Sequence, residues 1–142
     1  MSIALALSSE LIANGQTTKT DAFRQAVEFY DRGMFERAES IFSEIAASGQ
    51  DVMAKGYEAL CAVRRQSVGN RNLADQYISE YPYSGLIPQI RFYNALNLFD
   101  EQNFSTASAE FARIDMRSLK NSQVPEFIFK QAYSLFELDE YD

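Results

Sequence analysis

The chain has 142 residues, with 13 Lys and Arg against 20 Asp and Glu, a net charge of −7 and no histidine. This length suits one compact domain, and the negative charge argues against nucleic-acid backbones and anionic membrane surfaces as partners. The absence of histidine removes the most frequent general base and metal ligand. No segment is long and apolar enough to span a bilayer.

Residues 1–18 allow two interpretations. Ser2 to Leu7 is apolar, and Ala13-Asn14-Gly15 places small residues where a signal peptidase would cleave, so the segment is interpreted first as the remnant of an export signal. A basic start is missing, however, and Glu10 interrupts the apolar run. The alternative is a native helix from Ile3 to Ala13 that covers the open end of the first helical hairpin.

The remainder of the chain, residues 19–142, predicts an all-α fold. Apolar residues recur at helical spacing, and no run alternates with period two for long enough to indicate a sheet. Gly33 and Gly69 are placed where one helix must end and the chain reverse, which favours a positive φ. Pro82, Pro88 and Pro125 fall between helices or at helix starts. Helices are predicted over residues 20–32, 35–48, 51–67, 70–80, 86–101, 104–116 and 124–138.

Small and large apolar residues repeat along the chain at an interval of about 34 residues, which is typical of stacked helical hairpins. Four alanines form one series, with intervals of 36, 33 and 37 residues. Three further series keep intervals of 36 and 33, and one series of aromatic residues runs in register with the alanines. The series are Ala26, Ala62, Ala95 and Ala132; Ala38, Ala74 and Ala107; Phe42, Ile78 and Phe111; Ile45, Tyr81 and Ile114; Phe35, Phe104 and Tyr141.

The first unit reads A-x-x-F-x-x-x-G-x-F-x-x-A-x-x-x-F from Ala26 to Phe42. This pattern resembles the tetratricopeptide repeat (TPR), and the third unit follows it with Gln102 where glycine is usual. The second unit departs from it at Arg65 and Arg71, where large apolar residues belong. The resemblance implies a right-handed α-solenoid of antiparallel hairpins, with about three repeats and the first helix of a fourth over residues 19–142.

In TPR proteins the first helices of the repeats line a concave groove that binds peptides or protein partners. Carried onto this chain, the resemblance implies an aromatic and apolar groove. The Lys and Asn of the family's clamp for peptide carboxylates are replaced by Phe23 and Val27, so a chaperone-tail receptor is not expected. The predicted partner-binding residues are Phe23, Val27, Tyr30, Val63, Gln66, Phe92, Leu96, Phe99, Phe129, Tyr133 and Phe136.

The last predicted helix is rich in aromatic residues, including Phe127, Phe129 and Phe136, and the sequence stops where a second helix of its unit should begin. A terminal repeat without a capping helix exposes its core face. We therefore expect either that the chain is the N-terminal piece of a longer array or that this helix pairs with that of a second copy, forming a homodimer.

Two functional hypotheses follow. The chain is a protein–protein interaction scaffold that binds a peptide or partner subunit through its groove, or it is a structural segment whose groove is filled by its own chain. No catalytic, metal or cofactor motif is found, and Cys61 reads as a packing residue, so no enzyme activity is predicted. Tyr81-Pro82-Tyr83-Ser84 is similar to the link between repeats in bacterial cell-envelope TPR proteins, which favours the envelope or periplasm over the cytoplasm.

Overall fold

The computed structural model describes the backbone of residues 16–141 and the side chains of residues 20–139, and within these residues all regular structure is helical. This confirms the predicted all-α class. Residues 1–15, and with them most of the two interpretations of residues 1–18, lie outside the described residues. The helices are α1 Gln16–Asp31, α2 Phe35–Ala47, α3 Val52–Arg64, α4 Asn70–Glu80, α5 Ile87–Asp100, α6 Phe104–Ala112 and α7 Val124–Tyr141, with short 3₁₀ turns at Met116–Ser118 and Asn121–Gln123.

Local sequence signals set several of these boundaries. The carboxylate of Asp51 accepts a hydrogen bond from the backbone N–H of Ala54 and caps α3, as the side chain of Asn103 caps α6. Helix α6 ends at Ala112 and not near residue 116 as predicted. The reason is that Asp115 adopts an extended conformation and accepts a hydrogen bond from the N–H of Arg117, which starts a 3₁₀ turn.

The helices pack mainly against their neighbours in the chain. Each of α1, α2 and α3 contacts the next helix, α5 contacts α6, and α6 contacts α7. Two longer-range contacts join α3 to α5 and α5 to α7. Helix α3 is therefore covered by α2, α4 and α5, whereas α7 packs against α6, α5 and the preceding 3₁₀ turn.

The apolar core is divided at α5. One cluster joins α1 to α4 with Ile90 at the start of α5, and a second joins Phe92 and the rest of α5 to α6 and α7. The side chain of Tyr93 packs against both clusters. Helices approach each other closely where their contacts are formed by small side chains. Six alanines of the two clusters have no exposed surface: Ala26, Ala38, Ala54, Ala59, Ala95 and Ala107.

The turns between helices correct the alignment of the repeats. Gly33, Gln66 and Gln102 have φ angles of 78°, 53° and 61°. Each donates its N–H to the carbonyl three residues back, and the following residue donates to the carbonyl five residues before it. The structural counterpart of Gly33 is thus Gln66, and not Gly69, which has a positive φ immediately before α4. In this alignment Ala59, rather than Ala62, corresponds to Ala26 and Ala95.

Candidate functional site

Three of the predicted groove residues are part of the core. Tyr30, Val63 and Phe92 expose 7%, 0% and 1% of their surface. The ring of Tyr30 meets those of Phe35 and Tyr57 edge-on, with centroids 5.4 and 5.6 Å apart. A partner could reach these three side chains only if neighbouring helices separated.

Four further groove residues, Phe23, Val27, Leu96 and Phe99, are half-buried against the two clusters. Gln66 is exposed, but it lies in the turn after α3, where its amide donates to Oδ1 of Asn97 at 2.9 Å. Asn97 in turn donates to the carbonyl of Val63 at 2.9 Å. These contacts join the end of α3 to α5 and leave little of this region available to a partner.

The side chain of Arg64 closes the same region from the end of α3. Its guanidinium lies 4.1 Å from the ring centroid of Tyr93, 4.3 Å from that of Phe35 and 5.3 Å from that of Tyr30. Burial raises the pKa of Tyr30 to about 12, and the hydrogen bond from Arg64 opposes this shift. Arg64, at the end of α3, therefore contacts one aromatic ring from each of α1, α2 and α5.

The last three predicted residues, Phe129, Tyr133 and Phe136, are exposed on α7. Phe129 and Phe136 belong to a larger apolar surface, and its other residues were not among the predicted groove residues. Four large side chains, those of Ile128, Phe129, Leu135 and Phe136, each expose between 47 and 63% of their surface. Ala132 is also exposed and lies at the centre of this group. We call Ile128, Phe129, Ala132, Leu135 and Phe136 the α7 face.

The α7 face is a consequence of helical periodicity. Each of its four large residues lies three or four positions from Ala132 along the chain, so all five lie on one side of the helix. The other side of α7 is already used: the ring of Phe127 meets that of Phe111 at 5.7 Å, and Ser134 has no exposed surface. A helix that is apolar on both sides requires cover on both. That double apolar pattern was the sequence signal for Ile128, Ala132 and Leu135.

The opposite side fixes the orientation of α7. The amides of Gln123, just before the helix, and Gln89 on α5 exchange two hydrogen bonds of 2.8 Å. Further along, the ammonium of Lys130 lies 3.0 Å from the carboxylate of Glu126 and 5.0 Å from the ring centroid of Phe99. The α7 face is thus presented on a helix that is anchored at its start and along one side.

Reactive groups are few among the described residues. Cys61 is free and fully buried, and burial raises the pKa of its thiol to about 12, which confirms it as a packing residue. Residues 20–139 contain no group of acidic or cysteine side chains arranged to hold a metal ion. The expectation that the chain is not an enzyme stays a prediction. Over the described part of the chain, no helix has the length and apolar character needed to cross a membrane.

Comparison with protein-family models, curated proteins and solved structures gives no significant match. The similarity to TPR proteins therefore depends on the repeat pattern alone.

Proposed function

We propose that this chain is a helical-repeat interaction module that binds a protein partner through the α7 face. The observation that carries the proposal is the exposure of four large apolar side chains and Ala132 on one side of an anchored helix. From the exposed fractions, the face presents on the order of 500 Å² of apolar surface, and patches of this size on soluble proteins are often functional.

The chemistry of the α7 face favours an apolar helix as the occupant. The five residues carry no charge, and the large side chains flank a small one, as at the internal helix contacts of this fold. An amphipathic helix can place its apolar side along such a surface. This proposal keeps Phe129 and Phe136 from the predicted groove, while the ring of Tyr133 packs beside the α7 face against those of Phe99 and Phe104.

The proposal also covers the type of helical repeat and its handedness. Contacts between successive helices, the alanines at those contacts and the repeated turn geometry at Gly33, Gln66 and Gln102 support a TPR-like right-handed solenoid. The link Tyr81-Pro82-Tyr83-Ser84 supports a location in the cell envelope, as in the proteins whose repeats it resembles.

The second candidate is a structural segment whose apolar surfaces are covered by its own chain. The burial of Tyr30, Val63 and Phe92 by neighbouring helices favours this alternative. It differs from the interaction module in one respect that can be measured, namely which polypeptide lies on the α7 face.

Photo-cross-linking in the cells that make the protein separates the two functions. A photoreactive phenylalanine analogue replaces Phe136, which is 60% exposed, and in a control it replaces Val68, which is fully exposed away from α7. We expect Phe136, and not Val68, to form intermolecular adducts whose partner is identified by mass spectrometry. Cross-links confined to one polypeptide, or equal adducts at both positions, would contradict the interaction module and favour the structural segment.

A further inference from the structure

The α7 face is symmetric about Ala132. Ile128 lies four residues before Ala132 and Phe136 four residues after it, while Phe129 and Leu135 lie three residues before and after. All four large side chains are exposed, so the symmetry belongs to the surface as well as to the sequence. We propose that the partner is a second copy of this chain, an inference that rests on the proposed function. The two α7 helices pack antiparallel to each other, with a two-fold axis at Ala132.

A two-fold interface must be self-complementary, because each contact between two residues occurs twice. An antiparallel pair centred on Ala132 places Ile128 opposite Phe136 of the second copy, and Phe129 opposite Leu135. Each bulky residue thus meets another of similar size, and the two alanines meet on the axis. Alanine at a crossing point lets two helices approach to about 8–10 Å.

The chain already uses small residues in this way. Ala26, Ala59 and Ala95, which the turn hydrogen bonds align with one another, have no exposed surface, while Ala132 on α7 is exposed. An α7 from a second copy would give Ala132 the neighbour that the other three have within the chain.

Charge favours the antiparallel over the parallel arrangement. Asp139 is exposed at the C-terminal end of the α7 face. In an antiparallel pair it lies beside the start of the other α7, where the positive end of the helix dipole attracts a carboxylate and the exposed carboxylate of Glu126 opposes this attraction. Lys120, also exposed, precedes that helix start. A parallel pair would instead place Asp139 beside the second Asp139, at the negative end of both helix dipoles, where nothing offsets their repulsion.

The area predicts how strong the dimer is. Two α7 faces together bury on the order of 1,000 Å², at the lower end of specific protein interfaces. The dimer is therefore a reversible one that forms as concentration rises, and not an obligate assembly.

Disulfide trapping of the whole chain tests the axis. Two cysteines at Ala132 would face each other across it, where a disulfide requires Cβ atoms about 4 Å apart. Cys61 is buried, so the wild-type chain provides an unreactive background. Under mild oxidation we expect Ala132→Cys to give covalent dimers well in excess of Val68→Cys, an exposed control away from α7. Equal yields from the two variants would overturn the proposal.

A mixed experiment tests the direction of pairing. Chains carrying Ile128→Cys and chains carrying Phe136→Cys, of distinguishable mass, are oxidised separately and together. We expect mixed dimers to exceed both homodimers, because residue 128 faces residue 136 in an antiparallel pair. An excess of homodimers would indicate parallel pairing and contradict the proposed axis.

Sedimentation separates the failure of this proposal from that of the proposed function. We expect the wild-type chain to shift from monomer to dimer as its concentration rises, and Phe136→Asp to remain monomeric with an unchanged helical circular dichroism signal. A wild-type monomer at all concentrations, with photo-cross-links from Phe136 to another protein, would refute the dimer and leave the interaction module standing. Cross-links within one chain would refute both.

Discussion

Helices α3 and α7 are both first helices of predicted repeats and have similarly apolar sequences, but they are covered very differently. Helix α3 buries seven of its 13 residues, among them Ala59, Leu60 and Val63. Helix α7 buries Ser134 and exposes Ile128, Phe129, Leu135 and Phe136. Burial in a helical array therefore depends on which helices lie on each side, and the apolar content of a helix does not reveal this.

The difference has a functional meaning. Apolar residues of α3 contribute to the stability of the fold, because α2, α4 and α5 exclude water from them. The same residue types on the α7 face are in contact with water in this structure. Folding accounts for the first set, and for the second set we propose recognition of a partner.

Replacing one leucine by alanine in each helix is expected to give the largest difference in the free energy of unfolding. Leu60→Ala removes a side chain that is 1% exposed, so we expect the free energy of unfolding to fall by about 2–5 kcal/mol. Leu135→Ala removes one that is 47% exposed and should cost less than about 1 kcal/mol. Urea denaturation followed by circular dichroism, at a concentration where the chain is monomeric, measures both. Equal costs would mean that α7 is covered within the monomer.

Alkaline pH is expected to weaken the region around α3. Burial raises the pKa of the Cys61 thiol from 9.0 to about 12. Below pH 9 the thiol is protonated in both the folded and the unfolded chain, so the free energy of unfolding does not depend on its ionisation. Between pH 9 and 12 only the folded chain keeps it, and the free energy of unfolding should fall by about 1.4 kcal/mol per pH unit.

Tyr30 adds a similar loss above pH 10, because burial raises its pKa from 10.0 to about 12. Cys61→Ala provides the control, since it removes the thiol and leaves the tyrosines in place. We expect the wild type to lose stability relative to this variant as pH rises from 9 to 12, in denaturation curves measured at each pH. Parallel curves for the two chains would show that ionisation of Cys61 is not coupled to unfolding.

Much of the fold was predictable from the sequence because helical spacing and turn chemistry act locally. The seven predicted helices are all present, α4 with both its limits unchanged. The register of the second unit was not predictable, because residues three apart share one side of a helix. Ala59 and Ala62 are both buried, so either could continue the alanine series. Only the hydrogen bonds of the turn at Gln66 separate them.

The candidate site was less accessible to sequence analysis. The TPR resemblance predicts that Tyr30, Val63 and Phe92 line an open groove. In the structure the surrounding helices bury all three side chains. Among the predicted groove residues on α7, Phe129 and Phe136 are exposed. Ile128 and Ala132 complete that surface, and their role depends on the symmetry of the α7 face.

The smallest effect concerns the turns that set the register. Gln102 has a φ of 61°, a left-handed conformation that costs a residue with a Cβ about 1–2 kcal/mol. Glycine adopts it freely but gains more freedom in the unfolded chain, which offsets part of this. We therefore expect Gln102→Gly to raise the free energy of unfolding by less than about 1 kcal/mol in urea denaturation.

Gln66→Gly is the matched control, because Gln66 has the same left-handed backbone but also donates a 2.9 Å hydrogen bond to the buried Asn97. Losing that bond costs about 1 kcal/mol, so the gain in backbone energy should be cancelled at this turn. A gain at both turns would show that the Gln66–Asn97 hydrogen bond contributes nothing to the junction of α3 and α5. If both variants lower the free energy of unfolding, the left-handed backbone at Gln102 is not strained in a way that glycine relieves.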